Sequence, residues 1–106
     1  MVINKTGKER KMGYQIADVA DQVFGEMFET EVEAKAALDR LVDDEVEGEA
    51  NWLTELAQLV SEGGAANTED EGYVRRILAV PDDTKRVVAL ACARERLYAL
   101  NRIVKT

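Results

Sequence analysis

The chain of 106 residues contains no histidine, a single cysteine and a single proline. The lack of histidine removes the commonest general base, and with it the serine and cysteine triads and most transition-metal sites. Cys92 is the lone cysteine, so the chain forms no internal disulfide. The sequence therefore predicts a non-enzymatic protein with no catalytic residue, no cofactor and no metal ion.

Long apolar runs are also missing, since no stretch approaches the roughly 18 apolar residues that a membrane-spanning helix requires. Residues 1–13 are basic, with four lysine and arginine side chains against one glutamate. They lack the apolar stretch of a signal peptide. We expect a basic N-terminal arm over residues 1–13, a single helical domain over residues 14–106, a cytoplasmic location and no membrane contact.

Apolar spacing and capping residues predict helix through most of the chain. From Tyr14 to Phe28 the apolar side chains recur at steps of three and four, which is typical of an amphipathic helix. Thr30 and Glu33 have the spacing of a capping box, so we expect a second helix from about Glu31.

The last third of the chain adds a short helix that starts at Thr68 and ends before Pro81, and then a helix from about Thr84 to Val104. Apolar side chains lie nearly all round this last helix, which is typical of a helix buried on most sides. We therefore expect an all-α protein, a compact bundle of four to five helices with the C-terminal helix central.

The acidic run over residues 43–49 presents two structural alternatives. Five of these seven residues carry a carboxylate. If one helix continues through the run, Glu45 and Glu49 lie near its apolar stripe and need arginine partners. Suitable partners are Arg86 and Arg94. A break near Gly48 would turn both carboxylates to water, and this is the alternative we expect, because like charges also stack at i,i+4.

Charge is divided along the sequence. Residues 14–72 contain 17 acidic against 2 basic side chains, a net charge of −15, and residues 73–106 contain 8 basic against 3 acidic side chains, a net charge of +5. The acidic run adjoins the only tryptophan, a residue enriched at binding hot spots. The predicted partner-binding residues are Asp43, Asp44, Glu45, Glu47, Glu49 and Trp52. The predicted basic surface comprises Arg75, Arg76, Arg94 and Arg102.

These patterns favour a small regulator or inhibitor that presents an acidic helical surface to a partner protein with a basic surface, including one that itself binds nucleic acid. Direct binding of nucleic acid is not expected, because the acidic half repels phosphate. A second hypothesis is a self-assembling helical subunit, a homo-oligomer whose basic residues hold an anionic small ligand. Alternatively, the arginines neutralise the acids within one molecule.

A third hypothesis is a magnesium-dependent helical nucleotide pyrophosphohydrolase, a class of enzyme that uses an E-x-x-E pair and a second acidic pair on a facing helix. Glu26 and Glu29 supply the first pair, while Glu45 and Glu49 are four residues apart and no E-x-x-D follows on a well-formed helix. One E-x-x-E is expected by chance in a chain with 21 acidic residues out of 106, which argues against this enzyme.

Overall fold

Three helices and three short strands form the part of the chain that the structure describes, residues 13–105 of a computed structural model. In chain order they are β1 (Tyr14–Ala17), β2 (Val23–Phe28), α1 (Glu31–Ser61), α2 (Thr68–Leu78), α3 (Asp82–Leu100) and β3 (Arg102–Lys105). The prediction of an all-α bundle of four to five helices is therefore wrong. The predicted basic arm over residues 1–13 lies outside the described residues, apart from Gly13.

The segment from Tyr14 to Phe28, predicted to be a helix, forms a β-hairpin instead. β1 and β2 pair antiparallel, with Ile16 opposite Phe24. Gly25 within β2 has a φ of 76°, a value that a right-handed helix does not contain. The residues of this segment are rich in valine, isoleucine, tyrosine and phenylalanine, which favour pleated strands. This preference outweighs the helical spacing of the same apolar side chains.

Asp18 fixes the turn of the hairpin. Its Oδ1 accepts hydrogen bonds from the backbone N–H groups of Ala20 at 2.9 Å and Gln22 at 3.0 Å. Asp21 lies in the left-handed region with a φ of 64°, which aspartate tolerates better than most residues. Asp18 and Asp21 therefore stabilise a turn at a position where the apolar spacing predicted a continuous helix.

The last helix is shorter than predicted. α3 ends at Leu100, and the chain continues as β3, which pairs antiparallel with β1 and gives the strand order β2-β1-β3. Val87 of α3 is 66 % exposed, and Ala91 and Ala99 of the same helix are also exposed. The helix therefore buries one side only, and the prediction that it is the central element is wrong.

Helix α1 is a single helix of 31 residues. At its start, the backbone N–H of Glu33 donates to Thr30 Oγ1 and the backbone N–H of Thr30 donates to Glu33 Oε1, both at 3.2 Å, so the predicted capping box is confirmed. The helix continues through Gly48, and the expected break there is wrong. It ends before Gly63, which adopts a φ of 102° that favours glycine.

The described residues form two compact units. One contains the sheet, α1 up to Leu41 and the residues from Leu100 onward, and its buried apolar side chains are Ile16, Ala17, Ala34 and Leu38. The other is Val42–Ala99, and its apolar core is formed by Val42, Val46, Ala50, Leu53, Ala57, Val74, Ile77, Ala89, Cys92, Ala93 and Leu97. Between residues 13 and 105, no helix is long and apolar enough to cross a membrane.

Candidate functional site

The acidic run lies within the unit Val42–Ala99, on a helix that does not break. At 3.6 residues per turn its carboxylates are therefore distributed around α1. Asp43 and Glu47 are one turn apart on one side, and Glu49 lies on a different side. The five acids do not form one surface, so each side of the helix is described separately.

Asp43 and Glu47 are paired with arginines of α3. Arg94 Nη1 donates to Asp43 Oδ1 at 2.9 Å, and this hydrogen bond raises the pKa of Arg94 above its usual value. Arg86 Nη2 lies 3.8 Å from Glu47 Oε1, and Arg86 Nη1 donates to Asn51 Oδ1 at 2.7 Å. The four charged side chains are 46 % to 78 % exposed, so these pairs contribute little to stability. They do neutralise two of the predicted binding acids.

Glu49 belongs to a buried group of side chains that joins all three helices. Arg96 Nε donates to Asp70 Oδ1 at 2.8 Å, and Arg96 Nη1 donates to Glu49 Oε2. The guanidinium carbon lies 4.5 Å from the centre of the Trp52 ring. The side chains of Arg96, Asp70 and Glu49 are 20 %, 4 % and 18 % exposed. We call Arg96, Asp70, Glu49 and Trp52 the Arg96 cluster.

Burial lowers the pKa of Arg96, but the hydrogen bonds to Asp70 and Glu49 raise it by more, so that the pKa is above its usual value. The charge is therefore permanent, and it holds two carboxylates in a largely dry site. Because the guanidinium also lies over the indole ring, its cation–π contact favours this orientation of Trp52. Within the Arg96 cluster, the three charged side chains support the exposed ring of Trp52.

Only part of the arginine pairing was predicted. Glu49 has an arginine partner as expected for a continuous helix, but the partner is Arg96 and not Arg86 or Arg94, and Glu45 is exposed. Sequence reasoning also missed Asp70. One signal was available, because Asp70 precedes the apolar Val74 and Ile77 by four and seven residues and so lies on the buried side of α2.

The remaining side of α1 is exposed and combines acidic with apolar residues. We call it the acidic face; it comprises Asp44, Glu45, Gly48, Trp52, Glu55 and Leu59. Trp52 is 41 % exposed and Leu59 is 52 % exposed. Among the described residues, none forms an ion pair with Asp44, Glu45 or Glu55. Asp44, Glu45 and Glu55 therefore share one exposed side of α1 with Trp52, and none of the three is in an ion pair with a described residue. Gly48, Glu55 and Leu59 were not among the predicted site residues, although they lie at helical steps from Trp52: Gly48 precedes it by four residues, and Glu55 and Leu59 follow it by three and seven.

The predicted basic surface is not a free cationic patch. Arg75 Nη2 lies 3.6 Å from Glu71 Oε1 one turn earlier on α2, and Arg76 Nη1 donates to both carboxylate oxygens of Glu95 at 3.2 Å. Arg94 is bound to Asp43, as described above. In the unit that contains the sheet, Arg102 pairs with Asp21 and donates to the backbone carbonyl of Asp18 at 3.1 Å. Each of the four arginines therefore has a carboxylate partner in its own unit.

A magnesium site built on Glu26 and Glu29, and a nucleophilic role for Cys92, find little support in the geometry. Glu26 belongs to β2 and Glu29 follows that strand, so the E-x-x-E pair does not lie on a helix. Over residues 13–105, no group of three or more potential ligands is placed to hold a metal ion. Cys92 is buried, and burial raises the pKa of its thiol, which is the behaviour of a core residue and not of an activated nucleophile.

Comparison with protein-family models, with curated proteins and with solved structures gives no match. The functional argument therefore rests on the geometry of the side chains. Of the features described, the acidic face is the one that combines exposure, unpaired charge and an aromatic anchor.

Proposed function

We propose that the protein is a non-enzymatic interaction module, a regulator or inhibitor that binds a partner protein with a basic surface through the acidic face. The single observation that carries this proposal is that the exposed Trp52 shares one side of α1 with Asp44, Glu45 and Glu55. These three carboxylates lack an ion-pair partner in the described residues. A cytoplasmic setting belongs to the same proposal, because a single cysteine gives the chain no internal disulfide.

The chemistry of the face suits recognition of a cation-rich surface. Unpaired carboxylates attract a basic partner over distances of about one Debye length, roughly 8 Å at physiological salt, and so accelerate encounter. Tryptophan then supplies a large apolar contact, and a ring that already favours one orientation loses less conformational entropy on binding. The contact with Arg96, which Asp70 and Glu49 hold in place, favours that orientation.

The proposal is narrower than the set of residues predicted from the sequence. Asp43, Glu47 and Glu49 are engaged by arginines of α3, so their contribution to a partner is reduced. Of the predicted acids, Asp44 and Glu45 lack an ion-pair partner in the described residues, and the acidic face adds Glu55 to them. Direct binding of nucleic acid is not proposed, because these carboxylates repel phosphate.

The test is affinity capture with the immobilised full chain from an extract of the native host. Proteins retained by the wild-type chain at low salt should be lost with Asp44→Lys/Glu45→Lys. The matched control is Glu26→Lys/Glu29→Lys, which makes the same charge change at exposed positions in the other unit. Captured proteins should be basic and should elute as salt is raised. If the Asp44→Lys/Glu45→Lys chain retains the same proteins as wild type, the acidic face is not the binding site.

A further inference from the structure

Neither the backbone conformation nor the packing of the described residues requires a glycine at position 48. It lies within α1, and its φ is not in the left-handed region, unlike that of Gly25 or Gly63. A Cβ atom added to Gly48 would meet no described atom within 4 Å. Glycine is among the least favourable residues for a helix interior, so neither conformation nor packing accounts for it. Because glycine has no side chain, Gly48 leaves a gap between the side chains of the acidic face, one helical turn before Trp52.

The residues around this gap have the spacing of a helix–helix contact. Glu45, Gly48, Trp52, Glu55 and Leu59 follow one another at steps of three, four, three and four. This alternation is typical of residues that face a second helix packed at a small crossing angle. All five are exposed, so the contact is unoccupied within the described residues. A small residue at such a contact lets the two backbones approach closely.

We infer that the partner element is a basic amphipathic helix, which packs along the acidic face with its backbone closest to α1 at Gly48. Its lysines or arginines would lie beside Glu45 and Glu55, and its apolar residues would pack against Trp52 and Leu59. A second copy of this chain does not suit the face, because two copies would bring like carboxylates together. The inference rests on the proposed function and specifies the kind of partner.

The experiment uses Trp52 as the reporter, since it is the only tryptophan in the chain. The probe is a synthetic, tryptophan-free peptide of about three heptads, with leucine and alanine on one face and lysine beside them. A second peptide has the same composition in scrambled order. We expect the amphipathic peptide to shift the emission of Trp52 in a saturable manner, and the scrambled peptide to bind at least about 10-fold more weakly.

Gly48→Leu should weaken binding of the amphipathic peptide at least about 10-fold, because the larger side chain keeps the two helices apart. The matched control is Gly72→Leu on α2, since a Cβ atom at Gly72 also meets no described atom within 4 Å. This control should bind like wild type. Leucine favours helix, so both variants should keep the helical circular dichroism of the wild-type chain.

Equal affinity of Gly48→Leu and wild type would overturn docking at Gly48, and equal affinity for the two peptides would overturn a helical partner. The absence of a saturable emission shift up to about 1 mM peptide would also overturn the inference. If Asp44→Lys/Glu45→Lys abolishes binding of both peptides alike while Gly48→Leu has no effect, the proposed function stands and the helical docking does not. If Asp44→Lys/Glu45→Lys leaves the affinity for the amphipathic peptide unchanged, the proposed function and the helical docking both fail.

Discussion

Replacement of Arg96 by methionine should destabilise the protein far more than replacement of Arg94 by methionine. Both arginines lie on α3 and pair with acids of α1, and methionine keeps most of the apolar contact of either side chain. They differ in burial: Arg96 and its partners Asp70 and Glu49 are 20 %, 4 % and 18 % exposed, whereas Arg94 is 47 % exposed. The pair of variants therefore separates burial from the presence of an ion pair.

The expected cost of Arg96→Met follows from what it leaves behind. Asp70 would be left in a nearly dry site without its cation, and loss of one partner from a buried ion pair costs about 3–5 kcal/mol. Arg96 is partly exposed, so water can approach the site, and the lower end of this range, about 3 kcal/mol, is expected. For Arg94→Met we expect an unfolding midpoint close to that of wild type, because its pair with Asp43 is well solvated.

Urea unfolding followed by circular dichroism would measure the difference. With a slope of about 1–1.5 kcal/mol per molar urea, typical of a domain of this size, a loss of about 3 kcal/mol in Arg96→Met should lower the unfolding midpoint by about 2–3 M. Addition of Asp70→Asn to Arg96→Met should restore part of the loss, because a neutral amide is less costly to bury than an unpaired carboxylate. Equal midpoints for Arg96→Met and Arg94→Met would refute the structural role assigned to the Arg96 cluster.

Three further predictions concern single sites. Thr30→Ala should lower the free energy of unfolding by about 1 kcal/mol, since the N–H of Glu33 loses its acceptor; Thr30→Ser should restore it, and urea unfolding would check both. Gly25→Ala should lower the free energy of unfolding by about 1–2 kcal/mol because the φ of Gly25 is 76°, whereas Gly72→Ala should raise it by about 1 kcal/mol; thermal unfolding midpoints that move in the same direction for both variants would contradict this. Cys92 should react with thiol reagents at least about 100-fold more slowly in the native chain than in urea, because it is buried and burial raises the pKa of its thiol; equal rates would show that the site opens readily.

The parts of the fold that could be predicted are those decided by neighbouring residues. The start of α1 follows from the reciprocal hydrogen bonds of Thr30 and Glu33, and its end follows from Gly63. The hairpin was missed because Tyr14–Phe28 satisfies helical apolar spacing and strand propensity at the same time. The signals that favour the hairpin are the turn hydrogen bonds of Asp18 and the positive φ of Gly25, and neither belongs to the apolar spacing.

Features that depend on distant residues could not be predicted in this way. β3 forms because Ile103 and Val104 pair with β1, a contact between the two ends of the described chain that leaves no local pattern. The same holds for the candidate site. Its acids and Trp52 are visible in the sequence, but which acids are paired depends on how the arginines of α3 align with α1.

The Arg96 cluster also bears on how this protein could change over generations. Arg96 forms the ion pairs with Asp70 and Glu49 and also the contact with Trp52, so a substitution at Arg96 affects both the stability of the unit and the orientation of the tryptophan. Asp44 and Glu45 differ from Arg96, because their carboxylates are exposed and make no ion pair with the described residues, so substitutions at these positions should leave the fold intact. Selection can therefore retune the charge of the face to suit a new partner while the aromatic anchor and the fold persist.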